Sequence, residues 1–370
     1  MSSPPLSVVL AGGGSAGHVN PLLALADCLR RRDPQTGITV LGTSEGLEAR
    51  LVPERGYELR TLPKTPFPRR PDAAALRFPG AFRRGIGQAA DVLRDTGADV
   101  LVGFGGYVAT PAYLAARRLG VPIVIHEQNA RAGLANRLGA RFTPHVATTF
   151  PSTVLRHSRV LGMPLRHEIT QLDRTAHRTE ALGHFGLDAS RTTLLVFGGS
   201  LGAQRLNDTV GQVAPDLAAA GVQVLHLTGH GKTVTVPDGL DVPYVRAEYT
   251  DRMDLAYSVA DLAVCRAGAG TVCELAALGI PAVFVPLPIG NGEQRLNAAD
   301  VVAAGGGLVV DDADLTPQWL REQVLPLLGD PDRLAQMGAA AASVGHRDGD
   351  ERLADLVLHA ATSAPTGGAA

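Results

Sequence analysis

The chain is short of cysteine and of long apolar runs. Its three cysteines, Cys28, Cys265 and Cys273, lack the pair spacing of metal ligands, which argues against a disulfide framework or a zinc site and favours a reducing compartment. No apolar run approaches the roughly 18 to 20 residues that a membrane-spanning helix needs. No basic leader precedes the first apolar stretch. We therefore expect a cytoplasmic protein whose membrane contact, if any, is peripheral.

An excess of charge of one sign is also missing. The 34 Lys and Arg residues nearly balance 36 Asp and Glu residues, for a formal net charge of -2, which argues against a nucleic-acid partner. Hydrophobic residues make up 45% of the chain, as in ordinary globular proteins. Because 370 residues exceed the size at which a single core keeps growing, we expect two domains.

Short apolar runs alternate with longer helical stretches along the whole chain. Continuous apolar strands separated by helices are typical of a parallel sheet that is covered on both faces. The first half has such runs at 6–11, 37–42, 99–104, 121–127 and 145–150. After a polar helical stretch over 166–185, the pattern restarts at 192–207 and continues at 222–229, 242–248, 260–268, 280–288 and 307–312.

This repetition predicts an α/β protein of two similar doubly wound domains in tandem. The expected domains are 1–163 and 164–346. Residues 347–370 are expected to form a final helix, over 349–361, and a frayed tail, with the helix packing back on the first domain.

Four glycine-rich turns each follow a predicted strand. A glycine turn before a helix brings backbone N-H groups and the positive end of the helix dipole to one point, where phosphate binds. Tight packing of strand against helix is the structural alternative for any one of them. Four in one chain favour phosphate-bearing ligands. The turns are Gly12–Gly17, Gly103–Gly106, Gly198–Gly202 and Gly268–Gly270.

The first turn matches the G-x-G-x-x-G pattern of dinucleotide-binding proteins through Gly12, Gly14 and Gly17. That reading also needs an acidic residue at the end of the second strand to hold the adenosine ribose. The strand ends in Gly42-Thr43, and the nearest acid, Glu45, lies too far along. The segment GHGKT at 229–233 does not match the phosphate-binding Walker A pattern, because His226 stands where that pattern needs glycine.

Glu274 is the acid with a suitable position. It lies in AGAGTVCELAALG, where we expect it in the first turn of a helix that begins at Gly270 or Thr271. Its carboxylate could then face a ribose while the helix N-terminus faces the attached diphosphate. The alternative is a capping box, because Thr271-x-x-Glu274 matches that pattern as well.

Seven segments together resemble the MurG family of bacterial cell-wall glycosyltransferases, over roughly residues 6–345. The resemblance implies the GT-B architecture, two Rossmann-like domains facing across a cleft. It also implies transfer of N-acetylglucosamine from UDP-N-acetylglucosamine to a lipid-linked muramoyl-pentapeptide acceptor, without a cofactor. The segments are GGGSAGHVNPLLALA, GFGGYVATPA, HEQNARAGLANR, GMPLR, GGSLGAQRLN, CRAGAGTVCELAALGIPAVFVPLP and GNGEQRLNA.

The same resemblance implies a set of substrate-binding residues. Ser15, Ala16, Gly17 and Asn129 would line the donor sugar, Arg166 and Ser200 would contact the diphosphate, and Thr250 would lie at the uracil. The nucleotide would be cradled by Ala269, Gly270, Thr271, Val272, Cys273 and Glu274, with Glu274 on the ribose, and Gln294 would bind sugar hydroxyls. Met163, Leu201 and Gly292-Glu293 depart from the commonest family pattern, and an apolar side chain at Leu201 removes one hydrogen bond to the phosphate.

His18 is the candidate catalytic base. It follows the first glycine turn, and an unperturbed imidazole pKa of about 6.5 suits proton abstraction near neutrality. The alternative is that His18 only hydrogen-bonds the loop. His126 is a weaker rival whose place at a strand end also fits packing. With no Asp-x-Asp pair at a strand end, we expect no catalytic metal.

Residues 64–85 are basic and aromatic. Six basic residues stand against the single acid Asp72 and are interleaved with three phenylalanines. A solvated loop is the plain alternative. A basic aromatic surface would suit anionic lipids of the inner leaflet, so we expect a peripheral protein on the cytoplasmic face of the cell membrane. The residues are Lys64, Arg69, Arg70, Arg77, Arg83 and Arg84, with Phe67, Phe78 and Phe82.

Three competing functions stay open at this point. Another GT-B enzyme, such as a UDP-sugar 2-epimerase, would share the nucleotide cradle. A catalytically idle protein that binds a UDP-sugar would share it as well. An NAD-dependent dehydrogenase requires dinucleotide binding, which a thermal-shift comparison of NAD with UDP-N-acetylglucosamine would test.

Overall fold

The structure is a computed structural model that describes residues 5–65, 73–199, 202–289 and 291–363, without the side chains of 73–75. The chain divides into two compact units. One consists of Met1–His167 together with Arg347–Ala370, and the other of Glu168–His346. The first boundary thus follows His167, whereas the sequence pattern suggested a boundary after Met163.

The first unit is built on a parallel sheet of seven described strands in the order β3-β2-β1-β4-β5-β6-β7. Strand β1, which contains Val9, pairs in register with both of its neighbours, Val9 lying opposite Thr39 and Leu101. The strands are β1 (Ser7–Ala11), β2 (Gly37–Gly42), β3 (Glu58–Thr61), β4 (Val100–Gly103), β5 (Ile123–Glu127), β6 (His145–Thr148) and β7 (Ser158–Val160).

Helices cover both faces of this sheet, which explains why its inner strands are continuous apolar runs. Successive side chains of a strand point to opposite faces, so Val8 and Leu10 belong to one buried cluster and Val9 and Ala11 to another. All four are 0% exposed. The helices described between these strands are α1 (Ala16–Arg32), α2 (Glu48–Glu54), α3 (Ala73–Asp95), α4 (Ala109–Leu119) and α5 (Leu134–Gly139).

The second unit repeats the plan with six described parallel strands in the order β10-β9-β8-β11-β12-β13. They are β8 (Thr193–Phe197), β9 (Gln223–Leu227), β10 (Tyr244–Ala247), β11 (Leu262–Cys265), β12 (Ala282–Phe284) and β13 (Gly307–Val309). The helices are α6 (His167–Thr170), which spans the boundary, α7 (Arg174–Phe185), α8 (Gln204–Gln212), α9 (Ala214–Ala219), α10 (Met253–Val259), α11 (Ala269–Leu278), α12 (Glu293–Asn297), α13 (Ala299–Ala303), α14 (Pro317–Trp319), a π-helical turn (Leu320–Val324), α15 (Leu325–Leu328) and α16 (Pro331–Val344).

The predicted helical stretch over 166–185 is two helices. The first helix ends at Thr170. Asp173 then caps α7, because its carboxylate accepts hydrogen bonds from the backbone N of Thr175 and Ala176 at 3.0 and 3.1 Å. A side-chain acceptor at this position satisfies amides that lack a helical partner.

The last helix, α17 (Gly349–Thr362), belongs to the first unit. Leu353 and Val357 are 0% exposed and share a buried cluster with residues of α1. Arg31 pairs with Asp350 at 3.0 Å and Arg32 with Asp355 at 2.6 Å. Apolar burial and ion pairs therefore both attach α17 to α1. Among the helices that the structure describes, none is long and apolar enough to cross a membrane.

Candidate functional site

The glycine turn between β1 and α1 is closed by a carboxylate of the protein itself. Gly14, at a φ of 89°, donates its backbone N-H to Oε2 of Glu48 at 2.9 Å. Burial on its own would raise the pKa of Glu48, but hydrogen bonds from Gly14 and Thr43 outweigh it and lower the pKa. Glu48 is therefore an internal anion at this turn, which the sequence patterns did not identify.

His18 lies in the first turn of α1. Ser15 is the N-cap of this helix without making a side-chain cap; its Oγ lies 3.2 Å from Nδ1 of His18 in hydrogen-bond contact. A Cβ on Gly105, whose φ is +96°, would lie 3.1 Å from Nε2 of His18, so the imidazole packs against the glycine turn that follows β4. Burial lowers the pKa of His18, against the opposing charge of Glu127, a hydrogen bond with the Gly13 backbone and the charge of Glu48.

Glu127, at the end of β5, organises the loop that contains Asn129. Its side chain is 2% exposed. Oε1 accepts from the backbone N of Asn129 at 3.0 Å, and Oε2 accepts from Gly133 N at 3.0 Å and from Asn136 Nδ2 at 2.9 Å. The HEQN motif predicted Asn129 as a site residue but not Glu127, although Glu127 is the acid of that same motif.

His126 is a packing residue in this structure. It is 0% exposed, its Nε2 lies 2.9 Å from the carbonyl of Gly162, and its Nδ1 lies 3.1 Å from Nε2 of Gln128. Burial lowers its pKa to about 4. Because both ring nitrogens are used inside the unit, the structure gives the rival base no route to a substrate proton.

In the second unit, Glu274 lies on α11 but not where the sequence placed it. The helix begins at Ala269 with Gly268 as its N-cap and no side-chain cap. Glu274 is thus in the second turn, so both the expected first-turn position and the capping-box alternative with Thr271 are wrong. Its Oε2 accepts a hydrogen bond from the hydroxyl of Tyr257 at 2.7 Å.

The other predicted residues of α11 divide by burial. Ala269 and Val272 are 6% and 1% exposed, so only their backbone groups are available to a ligand. Gly270, Thr271 and Cys273 are partly buried, and burial raises the pKa of the Cys273 thiol. The N-terminal turn of α11 therefore offers mainly backbone amides, which suits an anion.

The remaining predictions are distributed over both units. Thr250 is buried, and its Oγ1 accepts from the backbone N of Arg252 at 3.0 Å. Gln294 uses its Oε1 to accept from Leu287 N at 3.0 Å. Ser200 and Leu201 lie outside the described residues. The first unit contains the exposed Ser15 and Gly17 together with the partly buried Ala16, Asn129 and Arg166.

One cluster in the described part of the chain contains three residues of the types that bind metal ions. Ligand atoms of Cys28, Asp350 and Glu351 lie within 4.8 Å of one another. However, Arg31 and Arg32 already pair with these carboxylates, and burial, followed by the hydrogen bond to Glu351, raises the pKa of the Cys28 thiol to about 12. The cluster is therefore a structural network that joins α1 to α17, in which a protonated thiol lies among ion pairs.

Comparisons with known proteins cover both units. The glycosyltransferase family 28 N-terminal domain matches residues 8–148, and the glycosyltransferase family 28 C-terminal domain matches residues 193–353.

Two curated relatives are named UDP-N-acetylglucosamine--N-acetylmuramyl-(pentapeptide) pyrophosphoryl-undecaprenol N-acetylglucosamine transferase. The Streptomyces coelicolor protein is 57% identical over 357 residues, 96% of this chain and 98% of its own length. The Leifsonia xyli protein is 59% identical over 350 residues, 94% and 97%. A crystal structure of Acinetobacter baumannii MurG superposes with a TM-score of 0.79 at 29% identity, covering 96% of this chain and 100% of that one.

Proposed function

This chain belongs to glycosyltransferase family 28, and from that premise we propose how its residues carry out the reaction. It is a UDP-N-acetylglucosamine-dependent transferase that moves N-acetylglucosamine to undecaprenyl-diphospho-muramoyl-pentapeptide, the reaction that its full-length relatives are named for. The observation that carries this assignment is identity of 57% extending through both units. An epimerase, an idle binding protein and a dehydrogenase are not favoured.

We propose that the second unit binds the donor nucleotide. Glu274 accepts hydrogen bonds from the ribose diol, and the amides at the start of α11 face the diphosphate, where the helix dipole stabilises the charge that develops as UDP leaves. Arg166 and Ser200 would contact the diphosphate as well. Thr250 would lie at the uracil, and Gln294 would bind hydroxyls of the sugar. Helix amides and arginine can stabilise a leaving diphosphate without a divalent ion, so transfer should persist in EDTA.

We propose that His18 of the first unit is the base. With Nδ1-H donated to Ser15 Oγ, the lone pair of Nε2 takes the proton from the 4-hydroxyl of the muramoyl sugar. That oxygen forms a bond to the anomeric carbon of N-acetylglucosamine from the face opposite UDP, and the bond to the diphosphate oxygen breaks. The anomeric configuration therefore inverts, through an oxocarbenium-like transition state.

Two measurements test the assignment. A thermal-shift comparison should show stabilisation by UDP-N-acetylglucosamine and none by NAD, because a ligand that binds only the folded state raises the melting temperature. Purified enzyme should then transfer labelled N-acetylglucosamine to the lipid-linked muramoyl-pentapeptide. Conversion of UDP-N-acetylglucosamine to its 2-epimer without transfer would replace this function by the epimerase alternative.

We propose that residues 64–85 dock the enzyme on anionic lipids of the cytoplasmic leaflet. Residues 66–72, which include Phe67, Arg69 and Arg70, lie outside the described residues. On α3, Leu76 is 86% exposed, Arg83 and Arg84 are exposed, and the rings of Phe78 and Phe82 stack with centroids 5.3 Å apart. Exposed apolar and basic side chains on one helix support binding at a lipid surface.

Replacing Arg83 and Arg84 with glutamine should weaken binding to vesicles that contain anionic lipid. Each basic side chain near such a surface contributes about 1 kcal/mol, so the pair should cost at least about tenfold in partitioning. Co-sedimentation with vesicles of stated anionic fraction measures this. The same change at Arg117 and Arg118, an exposed pair on α4, is the matched control; equal losses in both variants would contradict a specific docking segment.

A further inference from the structure

Glu48 is a buried carboxylate that the reaction described above does not use. It is the first residue of α2 and is 0% exposed. Its Oε2 accepts from Gly14 N at 2.9 Å, while its Oε1 accepts from the backbone N and Oγ1 of Thr43 at 2.9 and 2.7 Å. A protein carboxylate therefore holds the Gly14 amide of the first glycine turn, where a dinucleotide-binding protein would hold phosphate.

The glycines around Glu48 are explained by this carboxylate. A Cβ on Gly13, Gly42 or Gly46 would overlap the Glu48 side chain, its carboxylate oxygens at Gly13 and Gly46 and its γ-carbon at Gly42. Any side chain at these positions would expel the carboxylate or displace the turn. Gly13, Gly42 and Gly46 thus make room for an internal anion, and none of them belongs to the G-x-G-x-x-G match of Gly12, Gly14 and Gly17.

The opposite side of the same turn leads to His18. A Cβ on Gly106, whose φ is +82°, would lie 2.8 Å from the carbonyl oxygen of Gly13, and the neighbouring Gly105 packs against the His18 ring as described above. The turn is therefore held between Glu48 on one side and Gly105-Gly106 on the other. Gly13 and Gly14 therefore connect the Glu48 contacts to the start of α1.

We propose that Glu48 is a positioning residue: its carboxylate fixes the glycine turn that presents His18 and so sets the geometry of proton transfer, without touching substrate. Its negative charge also acts on the imidazole, together with that of Glu127, which comes from β5. The kinetic part of this inference rests on the proposed function of His18; the part that concerns the turn and the imidazole rests on geometry alone.

Glu48→Gln keeps the shape of the side chain but removes its charge and one acceptor. Whichever way the amide is oriented, its NH2 group faces a backbone N-H, either that of Gly14 or that of Thr43. We expect kcat to fall at least about tenfold, since small displacements of a catalytic group have effects of this size, while the KM for UDP-N-acetylglucosamine stays within about twofold. Glu54→Gln, an exposed position on the same helix, should change neither.

A titration followed by NMR provides a readout that does not depend on turnover. With labelled histidine, and with the His18 signal assigned by its loss in His18→Ala, the pKa of His18 should fall in Glu48→Gln because an attractive charge is removed. Glu48→Asp keeps the charge but is one methylene too short to reach Gly14. It should preserve most of the His18 pKa while still lowering kcat, and it serves as the second variant if Glu48→Gln does not fold.

The possible outcomes distinguish the positioning role of Glu48 from the assignment of His18 as the base. Folded Glu48 variants with wild-type kcat and an unmoved His18 pKa would overturn the positioning role. A rise in KM for UDP-N-acetylglucosamine at unchanged kcat would overturn it too, because the turn would then bind donor directly. If His18→Ala is fully active, the base assignment fails, yet the titration still decides whether Glu48 controls the imidazole.

Discussion

His18→Ala should lower kcat by about 10²- to 10⁴-fold, the range that a general base contributes. UDP-N-acetylglucosamine should bind with a Kd within about twofold of the wild type, since the proposed base acts on the acceptor hydroxyl and a group that acts only in the transition state does not set ground-state affinity. Steady-state transfer to the lipid-linked acceptor and calorimetric titration with the donor measure the two quantities. Exogenous imidazole should restore part of the activity.

The pH dependence follows from the burial of His18. Burial lowers its pKa below 6.5, so the base stays neutral to a lower pH than a free imidazole would. In the wild type, kcat/KM should be level near neutrality and fall as the pH drops through the His18 pKa, below pH 6.5. This acid limb should be absent from the residual activity of His18→Ala.

His230→Ala is the control, because this imidazole is exposed, with 87% of its side chain accessible, and lies in the second unit. It should have wild-type kcat and an unchanged pH profile. Wild-type turnover in His18→Ala would leave the alternative that His18 only hydrogen-bonds Ser15.

Two doubly wound α/β units could be predicted from sequence because their central strands are buried on both faces, while the GT-B architecture came from the family resemblance. Residues such as Val8, Val9 and Leu10 must all be apolar for that reason, and the resulting runs stand out. Strands β3 and β7 could not be predicted in the same way. They form the two edges of the first sheet, and sequences such as ELRT carry exposed polar side chains that have no apolar signature.

The parts of the candidate site that lie within one short motif could be predicted from sequence. Contacts between residues that are far apart in the chain could not. The glycine turns before α1 and α11 are local features and each lies between a strand and a helix, although α11 begins at Ala269, before the predicted start at Gly270 or Thr271. Glu48 reaches back to Gly14 across 34 residues, and Tyr257 reaches Glu274 across 17. Neither contact leaves a spacing rule in the sequence, because each depends on how strands order themselves in the sheet.

Glu274→Ala should raise the Kd for UDP about 100-fold. A carboxylate that accepts hydrogen bonds from a ribose diol makes charge-assisted bonds, which contribute about 1.5 to 3 kcal/mol, and 2.7 kcal/mol corresponds to about a factor of 100. Calorimetry with UDP measures the loss. With 2',3'-dideoxy-UDP, which lacks both hydroxyls, wild type and variant should bind equally, so the ligand itself reports whether the ribose is the partner.

Tyr257 orients the Glu274 carboxylate, so a change at Tyr257 provides a second test of the contact with the ribose. Its ring is 1% exposed, and its hydroxyl donates to Oε2 of Glu274 at 2.7 Å. Tyr257→Phe should raise the Kd for UDP about fivefold, the effect of one hydrogen bond, and should add nothing to Glu274→Ala because the two residues act as a unit. Glu322→Ala, an exposed acid of the same unit, should bind UDP normally. An equal loss for UDP and its dideoxy analogue would show instead that Glu274 and Tyr257 only hold α11 against α10.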